Sequence, residues 1–366
     1  MSPEQIVEVG GRRLKLTNLE KVLYPATGFT KGQVIDYYAR IAPVLAPHLA
    51  GKPLTLKRYP SGVDQEFFFE KNATKHRPGW VKTAPIWSEG NQREINYILA
   101  NDLTTIVWLA NLAAIELHPS LSLAQDIDCP RTMVFDLDPG PPANIVQCCQ
   151  VAVWLRAIFE HFKLESFAKT SGSKGLQIYV PLNTKTSYDE TKPFAHALAR
   201  VLENEHRDLV VSDMKKAIRT GKVLVDWSQN DEHKTTISVY SLRARERPTV
   251  STPVAWDEVE RTLKKKDVSL LAFEAQQVLQ RVEKMGDLFA PLLKLKQKLP
   301  KLVGIEKGQA EAIANGLEIV AHADRDGESK KRVSHVSGRV KKTSKVQIST
   351  AKPRNPTRFP KANKKA

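Results

Sequence analysis

Apolar residues recur along this chain with two different periods, and the switches between them mark the elements. Val34, Tyr37, Tyr38, Ile41 and Leu45 return every three or four residues after Thr30 and Gln33, which stand at capping-box spacing, so a helix is expected to start after Thr30. Residues 94–117, almost uniformly apolar toward their end, and residues 145–162 predict two further helices, the first well buried. Shorter apolar runs at 54–59, 132–138, 176–182, 223–227 and 236–242 predict strands. Residues 256–260 and 273–299, with Leu279, Val282, Met285, Leu288 and Phe289 at helical intervals, predict helices that close the core. The mixture predicts an α+β fold, and no internal repeat interrupts it.

Several of these strands end in charge. Thr132-Met-Val-Phe-Asp-Leu-Asp-Pro-Gly140 carries Asp136 and Asp138 one residue apart, so in a strand both leave the same face. Two neighbouring carboxylates repel, and a divalent cation with a taste for oxygen ligands relieves them most simply. Val223-Leu-Val-Asp-Trp227 brings a third acid, Asp226, from another strand, a set suited to two-metal phosphoryl transfer. Taken alone, an Asp-x-Asp pair serves equally well as a turn cap or surface pair.

Its company is what favours chemistry. The turn Lys169-Thr-Ser-Gly-Ser-Lys-Gly175 precedes the strand at 176–182, and its N–H groups, hydroxyls and Lys174 suit phosphate oxygens, although it is not a P-loop. Lys215-Lys-Ala-Ile-Arg-Thr-Gly-Lys222 and Tyr240-Ser-Leu-Arg-Ala-Arg-Glu-Arg247 add cations, and in extended geometry Arg243 and Arg245 share a face. A charge run is usually a solvated face, but here cations bracket acids that call for a polyanion.

With these blocks in order, the chain resembles the polymerase/primase domain of bacterial ligase D, of the archaeo-eukaryotic primase superfamily. The resemblance spans roughly residues 5–295. It is carried by Asn18-Leu-Glu-Lys-Val-Leu-Tyr-Pro25, Leu56-Lys-Arg-Tyr-Pro60, Phe68-Phe-Glu-Lys-Asn72, Glu116-Leu-His-Pro119, Val134-Phe-Asp-Leu-Asp-Pro-Gly140, Thr170-Ser-Gly-Ser-Lys-Gly175, Val223-Leu-Val-Asp-Trp-Ser-Gln-Asn230 and Tyr240-Ser-Leu-Arg-Ala-Arg245. It implies an RRM-like antiparallel sheet flanked by helices, plus an N-terminal α/β module, together occupying residues 1–299.

The resemblance further implies a template-directed nucleotidyltransferase that adds NTPs or dNTPs at short gaps or broken DNA ends. Asp136, Asp138 and Asp226 would hold the divalent metals, Mn²⁺ or Mg²⁺ and two in number. Ser171, Lys174 and Arg219 match positions that hold the triphosphate; Lys57, Gln229, Arg243 and Arg245 match others lining the nucleotide site, and His118 one near the sugar. Lys21 and Lys31 match residues that bind the 5′-phosphate of a gap, and Phe68 and Phe69 an aromatic pair that stacks on template bases, a contact open to any base because each has a π-face. Without that match, Phe68 and Phe69 would read as one core and one surface residue. The chain departs from the family in having Gln177 where a histidine is common, and glutamine still donates a hydrogen bond to phosphate but brings no charge.

Composition adds limits. Of the formal +16 charge, 13 Lys and Arg fall in residues 330–366 with no acid among them, which leaves only +3 on the preceding 329 residues. That Ser-, Thr- and Pro-rich tail is expected to be disordered and either adds salt-sensitive DNA affinity or merely solubilises; residues 300–329 read as transitional. Only Cys129, Cys148 and Cys149 occur, with no C-x-x-C, so neither disulfides nor a structural zinc is expected. No long apolar span or signal peptide is legible, and a cytoplasmic protein is expected. The ligase motif K-x-D-G is missing, so the chain reads as a stand-alone polymerase that needs a ligase in trans, with Ku as a candidate bridge. Two rivals from other classes are a noncatalytic DNA-end-binding factor and a haloacid-dehalogenase-like phosphatase; the second leaves Asp226 and the paired arginines unexplained.

Overall fold

The computed structural model describes residues 4–300 of the 366, so the tail at 330–366 and all but the first residue of the transitional segment lie outside the described residues. Within them the chain builds two large sheets, three two-stranded ones and two apolar cores. The C-terminal half runs strand, helix, strand, strand, helix, strand: Thr132–Pro139, Ile145–His161, Phe167–Thr170, Leu176–Pro181, Tyr188–Glu205 and Val223–Asp226. In the sheet, Val223–Asp226 and Leu176–Pro181 flank Thr132–Pro139, and Phe167–Thr170 lies outside Leu176–Pro181. This is the split βαβ topology of RRM-like domains, antiparallel except where Val210–Val211 adds a parallel edge to Val223–Asp226.

One face of this sheet, bearing Met133, Phe135, Leu137, Ile178 and Val180, packs on the two helices through Cys148, Leu155, Phe159, Phe194 and Leu198. The other face bears Val134 and Tyr179 and meets the core of the N-terminal module. Both faces being covered, Leu176–Pro181 is buried at every position, which is why its sequence lacks alternation. Cys148 and Cys149 are fully buried packing residues.

The N-terminal module holds a five-stranded sheet of Leu54–Arg58, Phe68–Glu70, Thr83–Ser88, Arg93–Ile98 and Ala114–Pro119. Its helix Lys31–Leu49 starts at the expected capping box: Gln33 N donates to Thr30 Oγ1 at 3.3 Å and Thr30 N to Gln33 Oε1 at 2.7 Å. Hydroxyls from this module then reach the C-terminal half, Tyr37 to Tyr240 O at 2.8 Å and Tyr24 to Arg243 O at 3.0 Å.

Three sequence expectations need correction. Residues 94–117 are not one helix but the strand Arg93–Ile98, the helix Leu103–Asn111 and the strand Ala114–Pro119. Asp102 caps that helix, its Oδ1 accepting from Thr105 N at 2.8 Å, and Ala113 ends the turn at φ 55°. An apolar stretch buried on all sides has no periodicity to separate helix from strand. Residues 236–242 form no strand, because Tyr240 sits at φ 63° and the segment bonds piecemeal to Leu117 O and Ser251 O. The helix expected over 273–299 is Ala275–Met285 alone, stopped at Gly286 (φ 70°), with a 3₁₀ turn at Ala290–Leu293.

Candidate active site

Strand register assembles the centre. Asp136 pairs directly with Asp226 on one neighbour and Gln177 on the other, and Gln177 pairs with Lys169. Directly opposed residues of antiparallel strands share a face, so Asp226, Asp136, Gln177 and Lys169 form one row across four strands, with Asp138 two residues along. Lys169 is completely buried and donates to Gln177 Oε1 at 2.5 Å and Ser251 Oγ at 2.6 Å. Burial and the neighbouring carboxylates of Asp226 and Asp138 push Asp136 up to about 6, against the opposing pull of Gln177 and Lys169. Burial likewise drives Lys169 well below an ordinary lysine.

Gln177 is therefore a buried link between Lys169 and Asp136, not the free phosphate donor the sequence suggested. Nor do the acids converge on one point. Asp226 Oδ1 accepts from Ser228 N at 2.9 Å and Ser228 Oγ at 2.6 Å, and its Oδ2 accepts from Gln229 Nε2 at 3.1 Å. Asp138 faces Lys174 Nζ at 3.3 Å and Arg219 at 3.9 Å. Among the described residues no group of three or more His, Cys, Asp or Glu stands close enough to hold a metal.

The cradle forms beside Asp138. Ser171 Oγ accepts from Ser173 N at 3.2 Å and Gly175 N at 3.1 Å, so two of the N–H groups expected to face phosphate are spent inside the turn. Gly172 adopts φ 67°, and a Cβ there would stand 2.6 Å from Val250 C. Gly140 has no room for a side chain either, since its Cβ would lie 2.0 Å from Arg219 O; this contact sets the Arg219 loop against the end of the acid strand. The Arg219 Nε is buried without a partner among the described residues.

A second cluster faces the row from the N-terminal module. Glu116, only 2% exposed, accepts from Arg243 Nε at 3.2 Å and Ala244 N at 3.0 Å through Oε1, and pairs with His118 Nε2 at 2.9 Å through Oε2. Burial alone would raise its pKa, but His118 and Arg243 hold it down to about 2. Arg243 also donates to Ser171 O at 2.8 Å, tying cluster to cradle. Arg245 is exposed and Arg243 half-buried, and the segment is not extended, so the two do not share a strand face as expected. Sequence reasoning passed over Glu116, although period two in Glu116-Leu-His118 puts it on the face of His118.

Lys57 pairs with Glu116 on one side and Phe69 on the other, and its Nζ lies 3.8 Å from the centre of the Phe67 ring. Phe67, unremarked in the sequence, is 48% exposed, Phe68 44% and Phe69 60%, so none is a core residue. Phe68 and Phe69 stand on opposite faces of their strand. Phe69 stands with Lys57, while Phe68 is opposite Arg58 on the reverse face, with the guanidinium 4.9 Å from its ring. Lys31 is buried there, donating to Thr17 O at 2.6 Å, and burial, Lys21 and Arg58 lower its pKa to about 8. Lys21 is exposed, its carbonyl accepting from Lys31 N at 2.8 Å.

No helix among the described residues is long and apolar enough to cross a membrane. Comparison with known proteins bears directly on this centre. Residues 30–289 match the family model of the LigD primase-polymerase domain. The chain is 43% identical over 282 residues to the multifunctional non-homologous end joining protein LigD of Mycolicibacterium smegmatis, covering 76% of this chain and 36% of that one. It is 30% identical over 275 residues to the bifunctional LigD of Bacillus subtilis, covering 75% of this chain and 43% of that one. It thus spans well under half the length of either relative. Among solved structures, the polymerase domain of Mycobacterium tuberculosis ligase D in complex with DNA superposes with a TM-score of 0.72 at 38% identity, covering 78% of this chain and 99% of that domain. The chain therefore belongs to the LigD primase-polymerase domain family and is, by that membership, a nucleotidyltransferase of the DNA-directed polymerase class.

Proposed function

We propose that the chain adds NTPs or dNTPs, under template direction, to primer 3′ ends at short gaps or broken DNA ends, in non-homologous end joining or gap filling. The observation that carries this reading is the register pairing of Asp136 with Asp226, which puts three acids on one sheet face beside the Ser171–Lys174 turn. In this reading Asp136, Asp138 and Asp226 hold divalent ions. The donor set fits, being all oxygen, and the raised pKa of Asp136 marks a burial and like-charge penalty that a dication removes. When bound, Mn²⁺ or Mg²⁺ lowers the pKa of the primer 3′-hydroxyl and neutralises triphosphate charge.

The protein's own work is positioning. Lys174 and Arg219, now resting on Asp138, are free to exchange that carboxylate for triphosphate oxygens, with the Ser171 hydroxyl beside them. Arg243, fixed by Glu116 and Ser171 O, presents charge to the same space, with Arg245 at its rim. His118 stands by the sugar, its imidazole kept neutral by burial despite the pull of Glu116. Gln229 orients Asp226, and Lys57 with Phe67 and Phe69 forms the platform for the templating base.

Primer extension across a 5′-phosphorylated gap, with NTPs and dNTPs compared in Mn²⁺ and Mg²⁺, tests the proposal. Templated extension supports it, and intact DNA binding with no extension under any condition favours the end-binding rival. Ku and a separate ligase are the partners an end-joining role would require, and the cytoplasm, at the nucleoid, is its natural place.

The two faces of the Phe68–Glu70 strand predict separable effects. Replacing both Lys21 and Lys31 by Ala should weaken binding about tenfold on gaps bearing a 5′-phosphate and little on gaps without it, as a lost charge-assisted contact would. Equal losses on both substrates, measured by fluorescence anisotropy, would remove that role. Phe69→Ala should cost roughly 1–3 kcal/mol in binding a template overhang. Phe68→Ala, on the reverse face with Arg58, should cost less, and the opposite ranking would show the platform to be misplaced.

A further inference from the structure

The sheet face that carries the acids also borders a cavity at its other end. This cavity of about 410 Å³ lies between the catalytic sheet and the N-terminal module, and none of Asp136, Asp138, Asp226 or the Ser171–Lys174 turn lines it. Its walls are apolar at Leu121, Ile237 and Phe289, yet Lys52 and Arg131 both line it. Among the described residues neither cation has a carboxylate partner; Arg131 donates only its Nε, to Asn183 Oδ1 at 3.2 Å. Thr132, 4% exposed and also lining the cavity, keeps its Oγ1 without any partner. Lys52 and Arg131 are half-buried, so the cavity lining carries positive charge that no carboxylate among the described residues offsets.

We propose that this cavity binds a small organic anion with an apolar body, its carboxylate or phosphate group held by Lys52 and Arg131. The acid strand connects the two sites. Thr132 precedes Asp136 on the same face by four residues, about 13 Å along a strand. Lys169, which bonds Gln177 in the catalytic row, also lines the cavity. Burial and the nearby Arg131 bring Lys52 down to about 8, as expected of a cation that lacks an anion.

The test is titration of the full chain with benzoate and with phenyl phosphate, followed by calorimetry, with benzyl alcohol as the uncharged control. Saturable binding of at least one anion is expected, undiminished by GTP and by Asp136→Asn/Asp138→Asn, and weakened at least about tenfold by Lys52→Met. Arg131→Met, which removes the second charge and keeps an apolar stem, should also weaken binding and decides the matter if Lys52→Met does not fold. No saturable binding, equal binding of benzyl alcohol, displacement by GTP, or wild-type affinity in the folded variants would each overturn the proposal.

Discussion

Glu116→Ala should lower the free energy of unfolding by about 3–5 kcal/mol, the cost of leaving a buried charge without its partner. Arg243 would lose its carboxylate with its side chain only 15% exposed, and Ala244 N would lose its acceptor. The same pairing fixes a pH dependence. An acid held near 2 in the folded state and near its ordinary value of about 4.3 when unfolded contributes stability that is present above about 4.3 and lost as pH falls toward 2. That contribution is on the order of 3 kcal/mol and should be missing from the variant, whose acid unfolding should be correspondingly shallower. Urea unfolding at pH 7 and pH 3 measures both. A variant as stable as wild type at pH 7 would mean that Arg243 and His118 find other partners, and that the cluster is not organised by Glu116.

The second large effect concerns the acids. Asp136→Asn with Asp138→Asn keeps the size of both side chains while removing the charge. Primer extension should fall at least about a thousandfold, or roughly 4 kcal/mol of transition-state stabilisation, with DNA binding retained. The asparagines are preferable to alanines because buried Gln177 bonds the Asp136 side chain, and an alanine there would leave that amide without its acceptor. Extension within tenfold of wild type would remove these carboxylates from the chemistry.

Legibility of the sequence varied with what each segment must satisfy. The acid strand was readable because its apolar run is of strand length and ends at Pro139-Gly140, and the capping box at Thr30 because its bonds are local. The stretch 94–117 was not readable, since the helix Leu103–Asn111 and the strand Ala114–Pro119 are both buried and carry no periodic polar face. The segment 236–242 looked like a strand through its β-branched residues, but Tyr24, Tyr37 and Tyr38 from a distant helix and hairpin hold it in an irregular path, and no local pattern encodes partners some 200 residues away. The same limit applies at the site. Asp136, Asp138 and Asp226 could be picked out one by one, but the register that sets Asp136 against Asp226, and Gln177 against Lys169, arises only when the sheet forms. Phe67 and Glu116 escaped notice because each acts through a cation supplied by another strand or segment, Lys57 and Arg243.

The most direct test is single-turnover addition of one nucleotide at a one-nucleotide, 5′-phosphorylated gap, each of the four NTPs being supplied separately. Only the nucleotide complementary to the template should be incorporated, and addition should cease when EDTA removes divalent ions. Incorporation indifferent to the template base, incorporation that survives EDTA, or none at all while the gapped DNA remains bound would contradict a templated, metal-dependent transfer at the Asp136–Asp226 pair.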